Sequence, residues 1–268
     1  MVIALIVLIV LMLLYLLALQ GRRNQPLLQE LRKWKYAHRG FHGDDVPENS
    51  MKAFELALEN GYGIELDIHL LADGNLAVIH DSSLQRTAGA DVMIEELSTE
   101  QLMQYQLEGS EESIPTFQQV LDLFNGKAPL IVELKPYENN YAELTAAACK
   151  MLDSYNGTFC IESFDPRCIR WLMKHRPDIV RGQLAHNSLG EKGNVPFILR
   201  FLMTNLLSNF WNRPDFVAYR FCDRNRLSVK LARKLWRIQG VTWTLTSQSM
   251  LDTAVEEDWI PIFAGFKP

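Results

Sequence analysis

The chain is poor in cysteine, in nucleotide-binding motifs and in net basic charge, and each shortage closes a class of function. Only four cysteines occur, Cys149, Cys160, Cys168 and Cys222, and no two are spaced as CxxC. That excludes a zinc knuckle or a thioredoxin-like motif and leads us to expect unpaired, mostly buried thiols in a reducing compartment. Neither G-x-G-x-x-G nor G-x-x-x-x-G-K-[ST] is present, so nucleotide chemistry has no motif to stand on. Acids outnumber bases, 32 against 27, and the net charge of −5 argues against a nucleic-acid partner, which requires a basic surface. No short-period internal repeat is visible.

A long apolar run is present. Residues Met1 to Leu19 read MVIALIVLIVLMLLYLLAL, and ~18 apolar residues suffice to cross a bilayer. No Lys or Arg precedes the run, which separates it from a signal peptide. Arg22, Arg23, Arg32, Lys33 and Lys35 follow, against the single acid Glu30, and basic residues beside a membrane end stay cytoplasmic. The expectation is a single-pass transmembrane helix over residues 1–20, a linker over 21–33 and a catalytic domain over 34–268 facing the cytoplasm.

Beyond the linker, roughly 240 residues remain, near the ~250 of one (β/α)8 barrel, and 48% hydrophobic content is that of a folded core. Strand-like and helix-like stretches alternate. Strands are expected at 34–38, 62–68, 76–80, 130–134, 158–161, 180–184, 216–219, 241–245 and 260–263. Helices are expected at 50–60, capped by Ser50, at 142–154, and at 167–175, ending before Pro177. This order implies parallel strands with right-handed crossovers, and about eight of them favour an α/β TIM barrel over an open sheet. Two stretches fit less well. Residues 82–113 read as an insertion with a helix over 99–107. Residues 185–214 contain FILRFLMTNLLSNFW, from Phe197 to Trp211. This segment is too short to span a bilayer and reads either as a buried loop helix or as an apolar face admitting a lipid-like substrate.

Polar residues gather where apolar strands end, which in a barrel is the catalytic edge. They are His38-Arg39-Gly40 with Pro47-Glu48-Asn49-Ser50, Glu65-Leu66-Asp67, Asp73-Gly74 with His80-Asp81, and Glu133-Leu134-Lys135. Glu65 and Asp67 are two apart, so on a strand they point to one side. Two such carboxylates repel unless they share a proton or a cation, and paired oxygen donors suit Ca²⁺ or Mg²⁺.

The order of these residues resembles the signature of glycerophosphodiester phosphodiesterases: HRG, PEN, a helix, E-x-D, DG, HD and L-x-R-T-x-G, all within AHRGFHGDDVPENSMKAFELALENGYGIELDIHLLADGNLAVIHDSSLQRTAG. Downstream, IVELK, Ser163-Phe164-Asp165 and Trp243-Thr244 follow in the family's order. The resemblance covers about residues 35 to 267. It implies a (β/α)8 barrel with one divalent cation, Ca²⁺ or Mg²⁺, held by Glu65, Asp67 and Glu133. It also implies His38 and His80 as the acid–base pair, Arg39 and Lys135 as phosphate-binding cations, and Glu48, Asn49 and Trp243 in support. The substrate class it implies is a glycerophosphodiester or lysophospholipid. The chain departs from the pattern at Leu71, where the family carries Thr, at Ser50 of PENS, and after the last strand, which lacks a T-D-x-P-like ending. Phosphatidylinositol-specific phospholipases C and sphingomyelinase D-like phospholipases share the barrel chemistry. A catalytically silent, membrane-tethered lipid-binding module is the alternative from a different class.

Overall fold

Eight strands pair in parallel and close on themselves. They are β1 (Tyr36–His38), β2 (Gly63–Leu70), β4 (Leu130–Leu134), β5 (Phe159–Ser163), β6 (Arg181–Ala185), β7 (Phe216–Arg220), β8 (Gln239–Leu245) and β9 (Trp259–Phe263), with β9 returning to β1. This is the expected TIM barrel. The computed structural model describes residues 1–268 except 24, 108 and 192–194. Those fall within the predicted linker, the first insertion and the second irregular stretch, and so lie outside the described residues.

Runs such as LIVEL in β4 and FVAYR in β7 are apolar almost throughout because a barrel strand is covered on both faces. The crossovers are helical and capped by side chains. Ser50 Oγ accepts from Ala53 N–H at the start of helix Met51–Glu59, and Asp165 accepts from Arg167 N–H before helix Pro166–His175. One core lies between the strands and the outer helices, around Phe54, Ile64, Val132, Ile169 and Phe263. A second fills the barrel interior with Tyr36, Ile131, Cys160, Phe216, Val241 and Ile260. The interior is therefore plugged with apolar side chains below the catalytic edge, and the polar groups above them sit on a rigid floor.

Residues 76–80, expected as a barrel strand, instead contribute β3 (Leu76–Val78), which pairs antiparallel with the end of β2, Ile68 opposite Val78. The reason is the turn. Asp73-Gly74, with Gly74 at φ +84°, reverses the chain in too few residues for a crossover helix, so the return must be antiparallel. Beneath the insertion Leu71, Ile79, Ile94, Leu102 and Ile114 form a third, separate core. The helix expected over 99–107 stops at Leu102.

The expectation of a transmembrane anchor and a single-pass membrane location is corrected. The apolar run folds as a 17-residue helix, Val2–Ala18, about 25 Å long at 1.5 Å per residue against a hydrocarbon core of ~30 Å. No helix among the described residues is long and apolar enough to cross a membrane. Counting from Met1 to Leu19 overstated the span because Leu19 ends the helix and is buried against the barrel, and Leu16 C=O accepts from the Trp236 indole N–H. Residues 2–14 are exposed. The predicted cytoplasmic orientation rested on that span and falls with it. In the second irregular stretch, helix Phe197–Thr204 is not a buried loop helix: Phe197 and Ile198 are each 60% exposed. The cysteines are all free, and three of the four are buried.

Candidate active site

Strand register brings the predicted residues to one edge. His38 of β1 lies beside Glu65 of β2, Asp67 of β2 beside Glu133 of β4, and Glu133 beside Glu162 of β5. The period of two turns Glu65 and Asp67 to the same side of β2. Glu65, Asp67 and Glu133 are buried, and one carboxylate oxygen from each lies within 4.8 Å of the others. His38 Nε2 is 3.8 Å from Glu65 Oε2. His80 follows β3, and its Nδ1 is 2.5 Å from Asp81 Oδ1, which leaves Nε2 as the ring atom without that partner. Both imidazoles, Glu65, Glu133, Glu162 and Trp243 line one small cleft of about 40 Å³.

The cations are woven among the acids. Lys135 Nζ is 3.0 Å from Asp67 Oδ1 and 2.7 Å from Glu133 Oε1. Arg39 donates from one terminal nitrogen to both Glu48 oxygens at 3.0 Å, and its Nε is 3.4 Å from Asp67 Oδ2. Asn49 Nδ2 donates to Asp67 Oδ2 at 2.9 Å, and Arg86 donates to Glu48 at 2.6 Å. The predicted supporting pair, Glu48 and Asn49, thus touches Arg39 and Asp67 directly. Holding them there strains the backbone: Arg39 and Asn49 adopt φ of +57° and +55°, a region that costs most side chains energy. Gly40 at φ +83° completes the turn, and a Cβ there would stand 2.7 Å from the Ala53 Cβ.

This crowding sets the protonation. Burial would raise Asp67, but Lys135 and then Arg39 overcome it and hold the carboxyl well below the usual range. Burial pushes Glu133 up to about 7, against the pull of Lys135. Burial, then the negative charges of Asp67, Glu133 and Glu162, raise Glu65 well above a normal carboxyl. Burial likewise raises Glu162. His38 is driven down to about 3 by burial and by Arg39, and burial also lowers His80. Four acids and two cations therefore cannot all carry full charge here unless further positive charge arrives.

Lone pairs are available for it. Lys135 approaches Asp67 Oδ1 and Glu133 Oε1 off the hydrogen-bonding direction, so neither oxygen has a hydrogen-bond partner, and Glu162 Oε2 has none either. Buried polar atoms are normally satisfied. An all-oxygen, carboxylate donor set fits a hard divalent cation.

Four participants were not singled out from sequence: Glu162, His69, Glu95 and Ser82. Glu162 is an inward-facing acid inside an apolar strand, and the same signal in Glu133 could have found it. His69 and Glu95 form a buried pair, Nδ1 to Oε1 at 2.7 Å, which Ser82 joins by donating to Glu95 at 2.8 Å. His69 Nε2 faces the His80 carbonyl oxygen at 3.2 Å. This network ties the insertion to the loop carrying His80, and nothing in sequence spacing signals it.

The site can be set beside known proteins. Residues 38–250 match the model of the Glycerophosphoryl diester phosphodiesterase family. The chain is 38% identical over 107 residues, 37% of its length, to a glycerophosphodiester phosphodiesterase of Bacillus altitudinis, spanning 43% of that protein. It is 32% identical over 165 residues, 58% of its length, to one of Caldanaerobacter subterraneus subsp. tengcongensis, spanning 68% of that protein. In fold it is similar to an Oleispira antarctica phosphodiesterase solved with the product sn-glycerol-3-phosphate: TM-score 0.70 at 21% identity, covering 86% of this chain and 92% of that one. The chain belongs to the Glycerophosphoryl diester phosphodiesterase family.

Proposed function

We propose that the chain hydrolyses glycerophosphodiesters to glycerol 3-phosphate and an alcohol, with Glu65, Asp67 and Glu133 holding one divalent cation, Ca²⁺ or Mg²⁺. The observation that carries this reading is the convergence of three buried carboxylates within 4.8 Å beside two imidazoles. When bound, the cation would withdraw charge from a phosphate oxygen.

The protein's own groups supply the rest. Arg39 and Lys135 would stabilise the phosphoryl oxygens, for which fixed, desolvated cations are suited. His38, kept neutral by burial and Arg39, suits the base that takes a proton from the attacking oxygen, either water directly or the glycerol 2-hydroxyl, whose cyclic phosphodiester is then opened by water. His80 carries the Asp81 carboxylate on Nδ1, which opposes the lowering that burial imposes on the ring, and so His80 suits the acid that protonates the leaving alkoxide. Glu48, Asn49 and Trp243 would fix Arg39, Asp67 and the cleft wall.

The test is hydrolysis of glycerophosphocholine by the full chain, with and without chelator. Full activity in excess EDTA refutes the cation. An active Glu65→Ala protein refutes the ligand set. Near-normal turnover in both His38→Ala and His80→Ala refutes the acid–base scheme.

A second reading takes lysophospholipids as substrate. The observation favouring it is the exposed row Phe197, Ile198, Leu199 and Phe201 on the connection leaving the catalytic end of β6. Equal rates on lysophosphatidylcholine and glycerophosphocholine, unchanged by Phe197→Ser, would end it.

A further inference from the structure

One large cavity lies away from the catalytic edge. It has a volume of about 790 Å³ and opens where β7, β8 and β9 begin, among Asp215, Gln239 and Trp259. Catalytic groups sit where strands end, so this cavity lies on the opposite face of the barrel.

Its walls carry eight Lys and Arg side chains and three acids, in a chain whose net charge is −5. Each acid already has an arginine: Asp215 pairs with Arg22, Asp258 with Arg32, and Glu257 with Arg224. Among the described residues, five cations remain without a carboxylate partner: Arg23, Lys230, Arg233, Lys234 and Arg237. Two of them are oriented without being neutralised. Arg233 stacks 3.8 Å over the Trp259 ring and donates to the carbonyls of Glu257 and Asp258, and Arg23 lies 5.0 Å over Trp236.

Helix Leu227–Leu235 places Lys230 and Lys234 four residues apart, and Arg233 and Arg237 repeat that spacing across its end. Like charges at i,i+4 oppose the helix. A helix C-terminus welcomes a cation, but that accounts for the last turn and not for five charges around one concavity. Such a field is relieved by an anion drawn into it. Planar guanidinium forks beside mobile ammonium groups are the donor set that recognises phosphate, and the volume is that of a small-molecule site, ~300–1,000 Å³.

We propose that this cavity binds clustered phosphate groups, carried either by a soluble polyphosphorylated small molecule or by the headgroups of an anionic lipid surface. It would do so independently of the catalytic cleft.

Tripolyphosphate titrated into the full chain by calorimetry, in EDTA, tests the soluble source. Flotation with phosphatidylcholine vesicles, with or without phosphatidic acid, tests the lipid source. The variant is K230E/K234E/R237E, three exposed positions outside the catalytic machinery, with an unchanged melting temperature as the check on folding. Because the catalytic cleft also attracts phosphate, Arg39→Gln serves as the second variant.

The expected result is binding of at least one probe that weakens with salt, falls about tenfold or more in the triple variant and persists in Arg39→Gln. Uptake of tripolyphosphate assigns the soluble source; uptake only of vesicles containing phosphatidic acid assigns the lipid source. Binding to neither probe overturns the proposal. So does binding that survives the triple variant, or binding that Arg39→Gln alone abolishes.

Discussion

Replacing Lys135 with Met tests the electrostatic account of the site most directly. The ammonium lies 3.0 Å from Asp67 and 2.7 Å from Glu133, and both carboxylates are buried. Met keeps most of the length and the apolar stem and removes the ammonium, with its charge and its donors. Removing one partner of a buried ion pair costs about 3–5 kcal/mol, because the other charge is left uncompensated. Arg39 still faces Asp67 at 3.4 Å and part of the demand can be met by protonating Glu133, so the lower end, about 3 kcal/mol, is expected. For a domain of this size that is a fall in melting temperature of roughly 6–12 °C. A cation at 100 times its dissociation constant returns about 2.7 kcal/mol. In Lys135→Met it also replaces the missing charge, so Ca²⁺ or Mg²⁺ should raise the melting temperature more in the variant than in the parent. The assay is thermal unfolding of both proteins in EDTA and in millimolar cation. If neither protein responds to cation, or if the variant melts with the parent in EDTA, the reasoning is wrong.

Asn49→Ala removes the amide donor to a buried Asp67 oxygen and should destabilise the protein by about 1–3 kcal/mol in chemical denaturation. Replacing Asn49 also puts a residue less tolerant of φ +55° at that position, so a gain in stability would contradict the structure. Asp81→Asn removes the carboxylate that favours protonated His80. The His80 pKa should therefore fall further. If His80 works as the acid, the alkaline limb of the rate profile should move to lower pH; movement to higher pH would reverse the assignment. Because burial holds Glu133 up at about 7 and raises Glu65, cation binding near neutral pH should displace protons. Calorimetry in buffers of different ionisation enthalpy reads this directly, and zero proton release would rule it out. Burial pushes Cys149 and Cys168 up to about 12 and raises Cys160 well above the usual thiol value, whereas Cys222 is exposed. A thiol reagent at pH 8 should label one cysteine in the native protein and all four in denaturant.

The sequence alone determined the barrel and most of the polar residues that meet at one edge of it. Parallel strands covered on both sides must be apolar, so LIVEL and FVAYR stand out, and any charge surviving in such a run, as at Glu65, Asp67 and Glu133, stands out further. Spacing of two put Glu65 and Asp67 on one side of a strand, and Ser50 was readable as a cap because capping is local chemistry. What depends on contact between distant segments was decided only in three dimensions. The register that sets Glu133 between Asp67 and Glu162, the His69–Glu95 pair behind His80, and the basic cavity at the foot of the barrel all join residues far apart in sequence. The N-terminal run shows the same limit. Its composition read as a span, but the docking of Leu16 and Leu19 against the barrel fixes where the helix ends, and composition carries no record of docking. Local propensity and periodicity are properties of neighbouring residues. Electrostatic compensation and helix termination against a domain are properties of the folded surface, and they exist only once the chain has closed.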